Sequence, residues 1–447
     1  MRVDGPPNLL VVGADKLRGL FDRNRYCLDL RKLRCIHGNP SWTQDSVLRR
    51  PDWSYPSKYH CILPSPSSQQ AVDRVLYLMY IAAWQVKDIF AIQDDISEEI
   101  SGRLRLRLTG SEKRRLTKRQ TDDVEAYRLY LKGLHHWNRF TEDGFYKAIE
   151  SFQQAVEKDA GYALAHTGLA IMYVLLGWNG YLPPKDAFPK AKVAALTALQ
   201  LDPDLGEAHT ALAAPLWLYD WQWIEAQKAL RRSLQLNPHY PTSSHWYGEY
   251  LMTMGCHEEA IDMMKKGRDL DPLSLIINLA IGWAFYMARR YDDAIAQFRR
   301  TVELEPNYPT THWMFGLVLR KMGRYELAIT EGEKGVKFSG GSSLMSAALA
   351  QTFAAAGRRS QAAEILDELT RLAKEKYIAP YFFAGIHAGL GENDRAIQYL
   401  EESYEERSHW LIYLHLDPRM DGLPSNPRFQ DMSRRIASAV SVQTSPS

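Results

Sequence analysis

Cysteine is scarce: the 447-residue chain has four, Cys27, Cys35, Cys61 and Cys256. So few, so unevenly placed, exclude a disulfide framework and fit a reducing compartment, the cytoplasm. An excess of charge is also missing. With 55 basic against 53 acidic residues the net charge is +2, which gives no whole-chain attraction to nucleic acid or to an anionic membrane. No apolar run reaches the roughly 20 residues a membrane span needs; the longest, Val75 to Trp84, reads as a buried helix or strand. The opening residues, with Arg2 and Asp4 ahead of the short run Leu9-Leu10-Val11-Val12, make a poor signal peptide. Catalytic motifs are missing as well. Val11-Val12-Gly13-Ala14-Asp15-Lys16 offers one glycine where a phosphate loop needs a glycine-rich turn closed by Lys-Ser/Thr, and no kinase glycine loop or His-Arg-Asp occurs. Cys27, Cys35 and His37, with His60-Cys61, are spaced wrongly for a zinc knuckle. No catalytic residue, cofactor or metal is expected.

Glutamate is absent before Glu98 and abundant after it. Residues 1–86 are rich in Arg, Pro, Ser and Trp, broken by Pro40, Pro51, Pro56 and Pro64-Ser65-Pro66, and hold no sustained helical or strand period. They read as an irregular segment: either a small domain or a degenerate, frame-shifted or disordered remnant. From Lys87 the pattern changes. Ile89, Ile92, Ile96, Ile100, Leu104 and Leu108 fall three or four apart, which predicts an amphipathic helix within 87–120, followed by a solvated basic linker through Lys113, Arg114, Arg115, Lys118 and Arg119.

What the chain does have is a period. Ala260, Ala294, Ala328, Ala362 and Ala396 recur every 34 residues, and Gly255, Gly323, Gly357 and Gly391 keep the same phase. Gly248, Gly282 and Gly316, then Ala350, mark a third column, and Pro272 and Pro306 a fourth. A period of 34 is that of paired antiparallel helices, whose crossing points admit only small side chains. One such pair leaves an apolar face uncovered, so neighbours stack into a solenoid. The large residue, glycine, aromatic, alanine, aromatic and closing proline at Ile281, Gly282, Phe285, Ala294, Phe298 and Pro306 resemble the tetratricopeptide repeat family. The expected fold is all-α, a right-handed superhelix of about eight such repeats over 121–409. A cap over 410–436 and a disordered tail over 437–447 follow it. The insertions Arg139–Phe145 and Trp178–Pro184 lengthen the turns of the first two units.

The likeness narrows. Lys87-Asp-Ile-Phe-Ala-Ile-Gln-Asp-Asp-Ile96, Glu125 to Trp137, Asp220-Trp-Gln-Trp223, Asp417-Pro-Arg419 and Asn426-Pro-Arg-Phe429 resemble the C-terminal half of bacterial multidomain regulators. In those, a repeat array follows a TolB-like module joined to a winged-helix, adenylate-cyclase or kinase domain. No such effector signature precedes Lys87 here.

The family resemblance implies protein or peptide recognition on the concave face lined by the first helix of each repeat. The in-phase residues there are His245, Glu249 and Met252, then Leu279, Trp283 and Tyr286, then Trp313, Leu317 and Arg320. Aromatics with arginine suit an interface; the competing expectation is that Trp283 and Trp313 pack between repeats. A clamp for a C-terminal carboxylate would need Lys and Asn in these columns, and they hold other residues. His166, His209, His245 and His312 recur on first helices and are expected in the core or at the rim. The chain is thus expected to be a non-enzymatic scaffold for a protein or peptide partner, with no nucleic-acid contact from the array and no membrane. The alternative is a signal-transduction or transcriptional regulator whose effector domain is lost or unrecognised.

Overall fold

The computed structural model describes residues 120–423 and 426–444, with side chains through 436. The irregular segment 1–86 and the amphipathic helix expected after Lys87 lie outside the described residues.

Sixteen helices pair into eight hairpins. In order they are α1 Val124–Trp137, α2 Glu142–Lys158, α3 Ala163–Trp178, α4 Pro184–Leu201, α5 Gly206–Leu218, α6 Trp223–Leu236, α7 Pro241–Thr253 and α8 His257–Leu270. The array continues with α9 Leu275–Met287, α10 Tyr291–Leu304, α11 Pro309–Lys321, α12 Tyr325–Phe338, α13 Ser343–Ala355, α14 Arg359–Leu372, α15 Pro380–Gly389 and α16 Asn393–Glu405. Odd-numbered helices form the inner layer and even-numbered helices the outer one. A proline at the first position opens α7, α11 and α15, where its missing N–H leaves nothing unsatisfied.

The repeating small residues hold the hairpins closed. Ala260, Ala294, Ala328, Ala362 and Ala396 are fully buried at the crossing of each pair. A Cβ added at Gly282 would lie 2.5 Å from the Phe298 ring, and one at Gly248 2.5 Å from Met264, so these glycines let the paired outer helix approach. The other glycine column ends the inner helices. Gly255, Gly323, Gly357 and Gly391 take φ of 75°, 71°, 77° and 76°, the left-handed conformation that L side chains resist. Arg289 occupies the same column at φ 60° despite its side chain.

The two layers differ in character. Outer helices such as α10 carry an apolar stripe beneath a charged convex face. Inner helices are apolar nearly all round, and in α9 every residue but Ile276 is buried. The superhelix comes close to completing a turn. Phe140, in the lengthened first turn, meets Tyr308 at the start of α11, with ring centroids 6.2 Å apart. Gly180, in the second insertion, lies against Phe382 of α15.

The segment expected as an end cap does more than cover the last hairpin. Two short 3-10 turns, His409–Tyr413 and Pro418–Met420, lie along the inner layer, and α17, Pro427–Thr444, packs on α6 and α16. Helix α17 continues to Thr444, where a disordered tail after Ile436 was expected; Ala437 and Ala439 propagate it well. No described helix is long and apolar enough to cross a membrane.

Candidate partner-binding groove

The nine in-phase residues of the concave face, His245, Glu249, Met252, Leu279, Trp283, Tyr286, Trp313, Leu317 and Arg320, lie on α7, α9 and α11 and all are buried. The chain itself covers much of this face. Residues 408–423 run back through the superhelix and touch five of the eight hairpins, the second, fourth, fifth, sixth and eighth.

Aromatic rings carry most of this contact. Trp283 stacks on Tyr286 at 5.1 Å and leans on Trp313 at 6.2 Å. Trp410 meets the edge of Trp313 at 6.1 Å, stacks on Tyr381 of α15 at 6.0 Å and contacts Trp178 of α3 at 6.4 Å. The Arg419 guanidinium lies over the rings of Trp410, Tyr381 and Trp283 at 4.8, 5.3 and 5.6 Å, so an aromatic cage holds a cation.

The cation is balanced locally. Asp417 pairs with Arg419 at 2.5 Å, with side-chain exposures of 0% and 3%, and accepts a hydrogen bond from the Tyr381 hydroxyl at 2.8 Å. Burial works against the Arg419 charge, but Asp417 beside it keeps the guanidinium charged above its ordinary range. Further along, the Tyr413 hydroxyl donates to Glu249 at 3.1 Å, and the other Glu249 oxygen faces His245 Nε2 at 3.6 Å. Burial, then the Glu249 carboxylate, push the Tyr413 hydroxyl well above its usual range. Arg320, whose charge burial disfavours, donates to Gln351 at 2.8 Å.

At the rim Asp421 accepts from Arg289 at 2.8 and 2.7 Å and from Lys321 at 2.6 Å. Partial burial raises its pKa, but these two cations outweigh it and hold the carboxyl below its ordinary value. The non-glycine residue in the glycine column is therefore one of the residues that latch the segment.

The recurring histidines separate into two roles. His166, His209 and His312 donate from Nε2 to the carbonyl six residues back, at 3.2, 2.9 and 2.7 Å, fixing the turn between repeats. Asn278 does the same for Pro272 at 3.1 Å. His245 sits one column over and faces Glu249 instead. Among the described residues no cluster of His, Cys, Asp and Glu could hold a metal ion. Sequence reasoning missed Tyr381, Trp410, Tyr413, Asp417 and Arg419 as site residues. The signal available was the apolar run Trp410 to Leu414 placed just ahead of Asp417-Pro-Arg419.

Comparison with known proteins agrees with this fold. Residues 279–342 and 347–409 match the tetratricopeptide repeat family model, and the array is a tetratricopeptide-repeat solenoid. Among proteins similar in sequence is the transcriptional regulator HilA of Salmonella typhimurium, 25% identical over 211 residues, which are 47% of this chain and 38% of that protein. Putative adenylate cyclase 3 of Rhizobium meliloti is 31% identical over 137 residues, 30% of this chain and 23% of that one. The chain thus spans well under half the length of either relative. Among solved structures, PilF of Pseudomonas aeruginosa is 22% identical with a TM-score of 0.35, covering 45% of this chain and 91% of its own. A human IFIT1 dimer is 14% identical with a TM-score of 0.49, covering 84% and 86%.

Proposed function

We propose that the array is a recognition module without catalytic chemistry, and that its concave groove takes a polypeptide segment. The groove side chains in this reading are His245, Glu249, Met252, Trp283, Tyr286, Trp313, Leu317 and Arg320. One observation carries it. The groove already holds an irregular stretch of chain, residues 408–423, anchored as a bound peptide is, by a buried aromatic, a hydroxyl donated to a carboxylate and a caged arginine. A partner segment offering an aromatic followed by an arginine would use the same cage after displacing the resident one.

A labelled peptide spanning 406–423 tests this against the full chain and against its Trp410→Ala/Arg419→Ala variant, whose own segment is weakened. Saturable binding to the variant and much weaker binding to the unaltered chain is the expected result. If a variant that retains its helical circular dichroism binds no peptide, the reading fails. A second reading, a regulatory protein, is favoured by the similarity to HilA and to a putative adenylate cyclase. Unchanged transcript and cyclic-nucleotide levels on deletion of the gene would remove it.

A further inference from the structure

The groove leaves the insertions in the first two turns without a use. They meet at a cavity of about 390 Å³, where the superhelix nearly completes its turn and Phe140 reaches Tyr308. The insertions contribute residues 139–142 and 179–181, and the rest of the wall comes from the start of α11, the turn 338–343 and Lys376-Tyr377 ahead of α15. None of the concave-face residues and no residue of 408–423 lines it. Hydroxyls gather there. Burial pushes the Tyr181 phenol above its ordinary range, the Glu142 carboxylate adds to this, and a hydrogen bond with Ser342 opposes it. Burial raises Tyr308 in the same way, against a hydrogen bond with Thr310 and with a further push from Tyr181. Both phenols therefore keep their protons and can donate as well as accept. Phe140, Phe338 and Tyr377 add ring surface. The charges on the wall balance, Glu142 and Glu305 against Arg139 and Lys376, and among the described residues none of the four forms an ion pair.

We infer that this cavity binds a short neutral saccharide. A sugar presents apolar C–H faces, which suit aromatic rings, and a rim of hydroxyls that both donate and accept. The wall answers with acceptors at Glu142 and Glu305, donors at Arg139 and Lys376, and groups that do either at Tyr181 and Asn307. With two charges of each sign it selects neither an anion nor a cation. The volume falls within the range of small-molecule sites. The inference stands apart from the peptide reading, since the cavity exists with residues 408–423 seated.

Isothermal titration calorimetry of the full chain with three neutral disaccharides, cellobiose, maltose and sucrose, tests it. At least one should bind saturably, one molecule per chain, and glucose should displace it better than glucuronate or glucosamine does. Tyr181→Phe removes one hydroxyl and keeps the ring, so it should weaken the bound disaccharide about three- to tenfold, the worth of a single hydrogen bond. Glu142→Ala removes a charged acceptor and should weaken it about tenfold or more. Glu142 is exposed, so this variant carries the test should Tyr181→Phe melt early. The inference is overturned if none of the three disaccharides binds saturably, if a charged sugar displaces as well as glucose, or if the folded variants bind as the unaltered chain does.

Discussion

Replacing Arg419 with methionine should release the returning segment, and the size of the effect can be worked from its surroundings. Its partner Asp417 has no exposed side-chain surface, and beyond Arg419 itself its side-chain donor is the Tyr381 hydroxyl. Removing the guanidinium leaves a buried carboxylate without a counter-charge, which costs about 3–5 kcal/mol. Methionine keeps most of the volume, so lost packing over Trp410, Tyr381 and Trp283 is the smaller part of the loss. Asp417→Asn/Arg419→Met removes both charges and should recover at least about 2 kcal/mol of that penalty, since replacing a whole buried pair is far milder than breaking it. A solenoid need not unfold as one unit, so the assay is amide hydrogen exchange read segment by segment. In Arg419→Met, protection over 409–423 should fall about a hundredfold or more while α8 and α10 change little. If exchange there stays within a few-fold of the unaltered chain, the buried pair does not hold the segment. If the double variant is as loose as the single one, the stranded carboxylate is not the cause.

Trp283→Ala should cost about 3–5 kcal/mol in urea unfolding, because the indole is buried between Tyr286, Trp313 and Arg419; a loss under about 1 kcal/mol would mean that the site collapses or was open. Ala294→Leu overpacks the α9–α10 crossing and should cost about 1–3 kcal/mol, so an unshifted urea midpoint would refute the close approach. Gly323→Ala tests backbone strain alone, since an added Cβ meets nothing within 4 Å at φ 71°; a loss of about 1 kcal/mol is expected, and a gain would refute the left-handed turn. His409 should make the chain acid-sensitive: burial first, then the Arg419 charge, lower its pKa to about 3. Below about pH 6.5 the unfolded chain takes up a proton that the folded chain refuses, so this stabilisation is complete above that pH and lost as pH falls toward 3. By pH 5 the loss is about 2 kcal/mol, and His409→Gln should flatten that part of the curve; equal pH slopes for both proteins would refute it.

The repeat was legible because it rests on short-range sterics. A crossing that accepts only alanine and a turn that needs a positive φ leave marks at fixed spacing, and α7, α9, α11 and α13 begin at the positions that spacing gives: Pro241, Leu275, Pro309 and Ser343. Position 289 shows where such reading stops. An arginine in a glycine column looks like a lapse in the repeat, and only the pairing with Asp421, 132 residues later, accounts for a charged side chain there. The path of residues 408–423 was illegible for the same reason. Its contacts run from Trp178 to Tyr381, and no period links a segment used once to the many helices it touches.

One trace of that path was nevertheless present in composition. A groove standing open to water would carry polar side chains along its floor, because large exposed apolar patches are rare on soluble proteins. Here the concave columns read Leu279 and Trp283 on α9 and Trp313 and Leu317 on α11, and every residue of α9 but Ile276 is buried. A solenoid normally hides such surface only between neighbouring repeats. Apolar residues in the columns that face inward therefore signal a covered face, and the covering chain must itself be apolar, as Trp410 to Leu414 is. Asp417 and Arg419 then supply what apolar contact lacks, a register. A buried charge pair tolerates little displacement, so this pair fixes which ring each residue of the segment meets.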